Sequence, residues 1–159
     1  DNAKFVFSNK AKNITKILFN NFIIPPFIIV PFHYEDWSIA IKLFNLAKNV
    51  GFLFPSIISP RAYVSEYANI GDGSVIMHNA LVNANAKVGR NCIINTNALI
   101  EHDSNIADHC HIATNTVVNG NVSVGQGSFI GSGSITKEGI TIGENSFIKA
   151  RSIVKWVFL

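Results

Sequence analysis

From Ile58 onward an aliphatic residue returns at every sixth position: Ile58, Val64, Ile70, Ile76, Val82, Val88, Ile94, Ile100, Ile106, Ile112, Val118, Val124, Ile130, Ile142, Ile148 and Val154, with Thr136 the single exception. A period held this strictly calls for a repeat architecture before any other fold. Four residues after each aliphatic comes a side chain that is usually small, such as Ala62, Ser74, Ala86, Cys92, Ser104, Cys110 or Ser134, which suits a narrow interior. The position between them, read from Gly73 through Asn79, Asn85, Asn91, Asn97, Asp103, His109, Asn115 and Asn121 to Gly127, Gly133, Gly139 and Asn145, holds residue types that tolerate positive φ. Short flat segments joined by such bends make a parallel β-helix, and three hexads per turn give a triangular prism with eighteen residues per coil.

The first third of the chain follows a different grammar. All 11 glycines lie at Gly51 or later and all 5 prolines at Pro60 or earlier, and nine of the 12 phenylalanines fall at Phe54 or earlier. We therefore divide the chain into a small α/β N-terminal region, 1–57, and a β-helix, 58–159. The stretch from Asp36 has helical spacing (Ile39, Leu43, Leu46, Ala47, Val50) and a stop at Gly51. The apolar run Ile17–Phe32 is interrupted by Asn20, Asn21, Pro25, Pro26 and Pro31, which argues against a membrane span and for buried or interfacial structure. The first residue is Asp1 rather than Met, so nothing rests on where the chain starts. A 48% apolar content excludes disorder, and a net charge of +3 without basic clusters gives no nucleic-acid surface. Two cysteines and no signal peptide suit a cytoplasmic protein. Cys92 and Cys110 lie one coil apart, at about 4.8 Å, where parallel inward side chains favour two free thiols over a disulfide.

The segment "IEHDSNIADHCHI", residues 100–112, crowds three histidines, two carboxylates and a cysteine together. The alternation of the prism sorts them. Cys110 points inward, His109 occupies a bend, His111 faces outward on a flat segment and His102 sits at a corner. Outward residues grouped by eighteen give one apolar face (Val75, Ile93, His111, Phe129, Phe147), a second (Leu81, Leu99, Val117, Ile135, Ile153) and a polar one (Asn69, Lys87, Asn105, Ser123, Thr141). Two apolar stripes mark association surfaces, and a closed homotrimer about the edge between them would bury both. His102 of one subunit and His111 of its neighbour would then flank one cleft.

The repeat resembles the left-handed β-helix hexapeptide-repeat acyltransferases. The segments "FLFPSIISPRAYVS", "NCIINTNALIEHDSNIADHCHIA" and "NGNVSVGQGSFIGSGSI" look like the bacterial sugar acyltransferases of the PglD and NeuD type. The resemblance implies a mainly β protein with left-handed coils, trimeric, with sites between chains. It also implies acetyl-CoA as co-substrate, no metal, and a sugar acceptor: the amino group of a nucleotide-linked sugar or a hydroxyl of a sialic-acid-like one. Acyl transfer from a thioester needs a base, an orienting partner for it and a donor for the oxyanion. The resemblance makes His102 the general base and Asp103 its carboxylate partner. It places His111, Asn95 and Glu101 near the substrate, Gly120 as the N–H donor to the acyl group, and Gly131 and Ser132 along the coenzyme A arm. Gly120 follows His102 by one coil at the same corner, where a missing side chain leaves room for a thioester.

The sequence also departs from that family. Residues 1–50 contain no glycine, so the family's glycine-rich turn is missing there, and its IHP segment reads Ile58, Ser59, Pro60. Two alternatives follow. One is a zinc enzyme like the gamma-class carbonic anhydrases, with His78 as a further ligand, although spacings of nine (His102 to His111) and two (His109 to His111) do not match that class. The other is a catalytically degenerate β-helix.

Overall fold

The computed structural model describes residues 37–49 and 51–155. The apolar run Ile17–Phe32 and the rest of the N-terminal region before Trp37 lie outside the described residues. Helix α1 (Trp37–Asn49) ends where the spacing predicts: Gly51 takes φ 89°, its N–H donates to Lys48 O at 3.0 Å, and Phe52 N–H donates to Ala47 O at 3.1 Å. This pair of bonds closes a helix on a left-handed residue that glycine adopts without a Cβ penalty. The buried stripe is narrower than the spacing suggests. Phe44 and Ala47 are buried, whereas Leu46 is 52% exposed because it lies on the far side of the helix from Phe44.

Seventeen two-residue strands follow at six-residue intervals, from β1 (Ile57–Ile58) to β17 (Ile153–Val154). They stack into three parallel sheets of six, six and five strands, each strand pairing with the one eighteen residues away, so the chain forms a β-solenoid. Every outward group read from the sequence is one of these sheets. The first carries β10 (His111–Ile112), β13 (Phe129–Ile130) and β16 (Phe147–Ile148). The second carries β8 (Leu99–Ile100), β11 (Val117–Val118) and β14 (Ile135–Thr136), and the third is polar. The inward aliphatics from Ile76 to Val154 are buried in one continuous core.

Positive φ occurs at each predicted bend residue and also at Arg151, where the pattern offers no Asn or Gly. The small inward position does more than save space. Ser74, Ser104, Ser128 and Ser134 each donate a hydroxyl proton to a carbonyl fifteen residues on, at 2.7–2.9 Å, and accept an N–H eighteen residues on. These serines satisfy corner backbone groups that would otherwise be buried unpaired. Cys92 and Cys110 are free buried thiols, and Cys92 donates to Ala107 O at 3.1 Å.

Helix α1 docks through Phe44, whose ring lies 4.3 Å from that of Phe54 and 5.5 Å, edge-on, from that of His109. His109 is thereby a packing residue: it is 5% exposed, its Nδ1 lies 2.9 Å from the Asn91 amide, and burial lowers its pKa.

Gly131 has a packing reason to be glycine. A Cβ there would come within 2.5 Å of Ala150 N and 2.7 Å of Ile148 O in the next coil. Gly131→Ala is expected to destabilise the protein by about 1–3 kcal/mol, and a denaturant midpoint that does not move would contradict this.

Candidate active site

His102 and Asp103 occupy the corner after β8, where the chain turns from the second sheet toward the third. The bend at Asp103 (φ 61°) brings its carboxylate back onto the preceding ring, with Oδ2 2.8 Å from His102 Nδ1. A proton on Nδ1 is held by the carboxylate, which leaves Nε2 as the basic nitrogen. Asp103 raises the pKa of His102, through the hydrogen bond first, and Glu101 and Glu138 add to it by charge; Asp103 itself is lowered by His102 and by Asn85.

The previous coil supports both acids. Asn83 Nδ2 donates to Glu101 Oε2 at 2.8 Å, and Asn85 Nδ2 donates to Asp103 Oδ1 at 3.3 Å. The next coil presents Gly120, and a Cβ built there would lie 2.9 Å from both Cε1 and Nε2 of His102. The imidazole thus covers a gap that exists because residue 120 lacks a side chain. The Gly120 N–H donates to no group among the described residues. A base, its carboxylate partner and an unoccupied backbone donor therefore meet at one corner, which is the set that acyl transfer requires.

His111 lies elsewhere. It stands on the first sheet in β10, with Nε2 3.1 Å from the Asn95 amide and its ring edge-on to Phe129 at 5.2 Å; burial pushes its pKa down to about 4. Asn95 also accepts from Thr96 N–H at 2.7 Å. Within one chain, then, the predicted residues fall into two groups: His102, Asp103, Glu101 and Gly120 at one corner, and His111 with Asn95 on and beside another face. Ser132 is exposed at the corner after β13, and its carbonyl accepts from Arg151 N–H at 2.9 Å. Among the described residues no three His, Cys, Asp or Glu side chains converge on a common point. His78 pairs instead with Ser59 Oγ at 2.8 Å.

Asn83 and Asn85 were missed at the sequence level, although both were findable: each lies one coil, eighteen residues, before the carboxylate it supports. Glu138, one coil beyond Gly120, follows from the same rule.

The family described as the GMPPB C-terminal domain matches residues 55–156. Among solved structures, the acetyltransferase domain of PglB from Neisseria gonorrhoeae is 31% identical, with a TM-score of 0.76, over 77% of this chain and 60% of that one. PerB from Caulobacter crescentus, solved in complex with CoA and GDP-perosamine, is 32% identical with a TM-score of 0.76 over 77% of this chain and 59% of that one. WeeI from Acinetobacter baumannii, 21% identical with a TM-score of 0.59 over 75% and 64%, shares the fold. No curated protein sequence matches the chain. The chain spans about 60% of the length of the first of these structures. Among the described residues no helix is long and apolar enough to cross a membrane.

Proposed function

The chain is a hexapeptide-repeat β-solenoid belonging to the GMPPB C-terminal domain family, and we propose that it is an acetyl-CoA-dependent sugar acyltransferase with His102 as its general base. The observation that carries this reading is the imidazole held by Asp103 with Nε2 over the gap at Gly120. The likeness to PerB, described as a perosamine N-acetyltransferase, supports an amino group on a nucleotide-linked sugar as the acceptor, with a sialic-acid-like hydroxyl as the alternative.

In this mechanism His102 Nε2 takes the proton from the acceptor nitrogen as that nitrogen bonds to the thioester carbonyl carbon. The carbonyl oxygen becomes an oxyanion and accepts the Gly120 N–H. Collapse of the intermediate breaks the carbon–sulfur bond, and the His102 imidazolium gives its proton to the departing coenzyme A sulfur, which regenerates the base. Asp103 fixes the tautomer and stabilises the imidazolium in between. Glu101, Asn95 and His111 would orient the sugar, while Gly131 and Ser132 would line the coenzyme A arm. The reaction would take place in the cytoplasm.

The separation of His102 from His111 within one chain is resolved by the homotrimer, in which the cleft lies between His102 and His111 of the partner subunit. Exposed apolar side chains on the second sheet, Tyr63 at 61%, Ile135 at 44% and Ile153 at 69%, support such an interface. Phe129 on the first sheet is only 9% exposed within the chain, so Ile135 is the cleaner probe. Ile135→Glu is expected to yield folded monomer by light scattering, with acetyl transfer lost. A wild-type monomer that is fully active would contradict the intersubunit site.

The reaction is tested by incubating the protein with acetyl-CoA and nucleotide-linked 4-amino sugars or free sialic acids, then identifying the product by mass spectrometry and NMR. An acetylated sugar supports the reading; no acetylated product, with zinc-dependent hydration of carbon dioxide in its place, would support the zinc alternative.

A further inference from the structure

Thr136, the single break in the hexad, lies beside the strand that leads into Gly120. In neighbouring coils the residue after the inward aliphatic donates its N–H to a ladder carbonyl in the next coil: Asn83 to Ile100 O, Asn95 to Ile112 O and Glu101 to Val118 O, each at 2.9 Å. At Asn119 this bond is replaced. The Asn119 N–H donates to Thr136 Oγ1 at 2.9 Å, and Thr136 O accepts from Asn119 Nδ2 at 2.6 Å. Between β11 and β14 only Val117 and Ile135 stay in register, where the other strand pairs keep two residue pairs.

The exchange has a consequence for the next residue. At three other corners the polar side chain at this position folds back on the following N–H: Asn83 Oδ1 accepts from Ala84 at 2.8 Å, Asn95 Oδ1 from Thr96 at 2.7 Å, and Glu101 Oε2 from His102 at 3.3 Å. Asn119 is tied to Thr136 and caps nothing. The Gly120 N–H is left without an acceptor, at the gap that the His102 imidazole covers.

We infer that Thr136 and Asn119 are positioning residues that keep the Gly120 N–H uncapped, so that it can donate to the acyl oxygen of the substrate. The ligand in this statement rests on the function proposed above; the uncapped amide does not. The buried threonine (1% exposed) interrupts an otherwise aliphatic row, so the device is placed where a repeat alone would put Val or Ile. Without the Thr136 hydroxyl, Asn119 N–H would return to the ladder carbonyl, and the freed side chain would cap Gly120 as Asn83 and Asn95 cap their neighbours.

Two variants test this. Thr136→Val is expected to keep or raise the thermal midpoint, to slow amide hydrogen exchange at Gly120, and to lower kcat by about 10²-fold, the scale of losing one oxyanion donor, with KM for the sugar unchanged. Adding Asn119→Ala removes the cap and is expected to return fast exchange at Gly120 and most of the rate. Unchanged Gly120 exchange in Thr136→Val, or a double variant as slow as the single one, would overturn the inference. A wild-type protein that acetylates no sugar would instead count against the proposed function, while the exchange comparison, which needs no substrate, still decides the role of Thr136 and Asn119.

Discussion

His102→Ala is expected to lower kcat for acetyl transfer by about 10²- to 10⁴-fold, the usual contribution of a general base, while the oligomeric state and thermal midpoint stay as in the wild type. The side chain is exposed, and its hydrogen bond is to Asp103, itself exposed, so its loss removes no core contact. The pH profile carries the same information. The base must be unprotonated at Nε2, and the Asp103 hydrogen bond raises the pKa of His102 above 6.5, so kcat/KM falls as pH drops through a value higher than that of a free histidine. Asp103→Asn removes the anion and is expected to move that limb to lower pH. A limb that stays in place in Asp103→Asn would exclude the pair as the titrating unit.

Gly120→Ala is expected to lower kcat by about 10²- to 10³-fold with little change in stability. The backbone at Gly120 is outside the left-handed region, so alanine is accommodated without strain, but its Cβ would meet Cε1 and Nε2 of His102 at 2.9 Å. The ring must swing away, and the methyl group fills the gap that the proposed mechanism gives to the thioester. Gly131→Ala is the contrasting case: its Cβ meets rigid backbone in the next coil, so it costs stability rather than ring position. Comparing the two variants separates a glycine whose added methyl displaces the His102 ring from one whose added methyl strains the coil stack. A Gly120→Ala protein with wild-type kcat would mean that the acyl group lies elsewhere.

Much of this architecture was legible because the solenoid is nearly one-dimensional. A side chain's direction follows from its place in the hexad, and its neighbours are the residues eighteen away, so the three sheets, their outward rows and the bend residues could be read without coordinates. Arg151 departs from the bend rule, since its left-handed φ is imposed by the coil around it rather than by its own preference. The corner carrying His102, Asp103 and Gly120 was legible for the same reason. Three things were not. The burial of His109 depends on Phe44, whose helix docks by tertiary contact that no hexad encodes. The exposure of Leu46 depends on which of two helical stripes meets the coils. The role of Thr136 depends on a hydroxyl swapping one ladder bond for another, which a pattern of residue classes records only as an exception.

The most direct measurement of the central claim is the release of free coenzyme A thiol from acetyl-CoA by the wild-type protein and by His102→Ala, across nucleotide-linked 4-amino sugars and free sialic acids. The account predicts release with one sugar class that is almost abolished in the variant. Release at the same rate in both proteins, or none from the folded protein with any sugar, would contradict it.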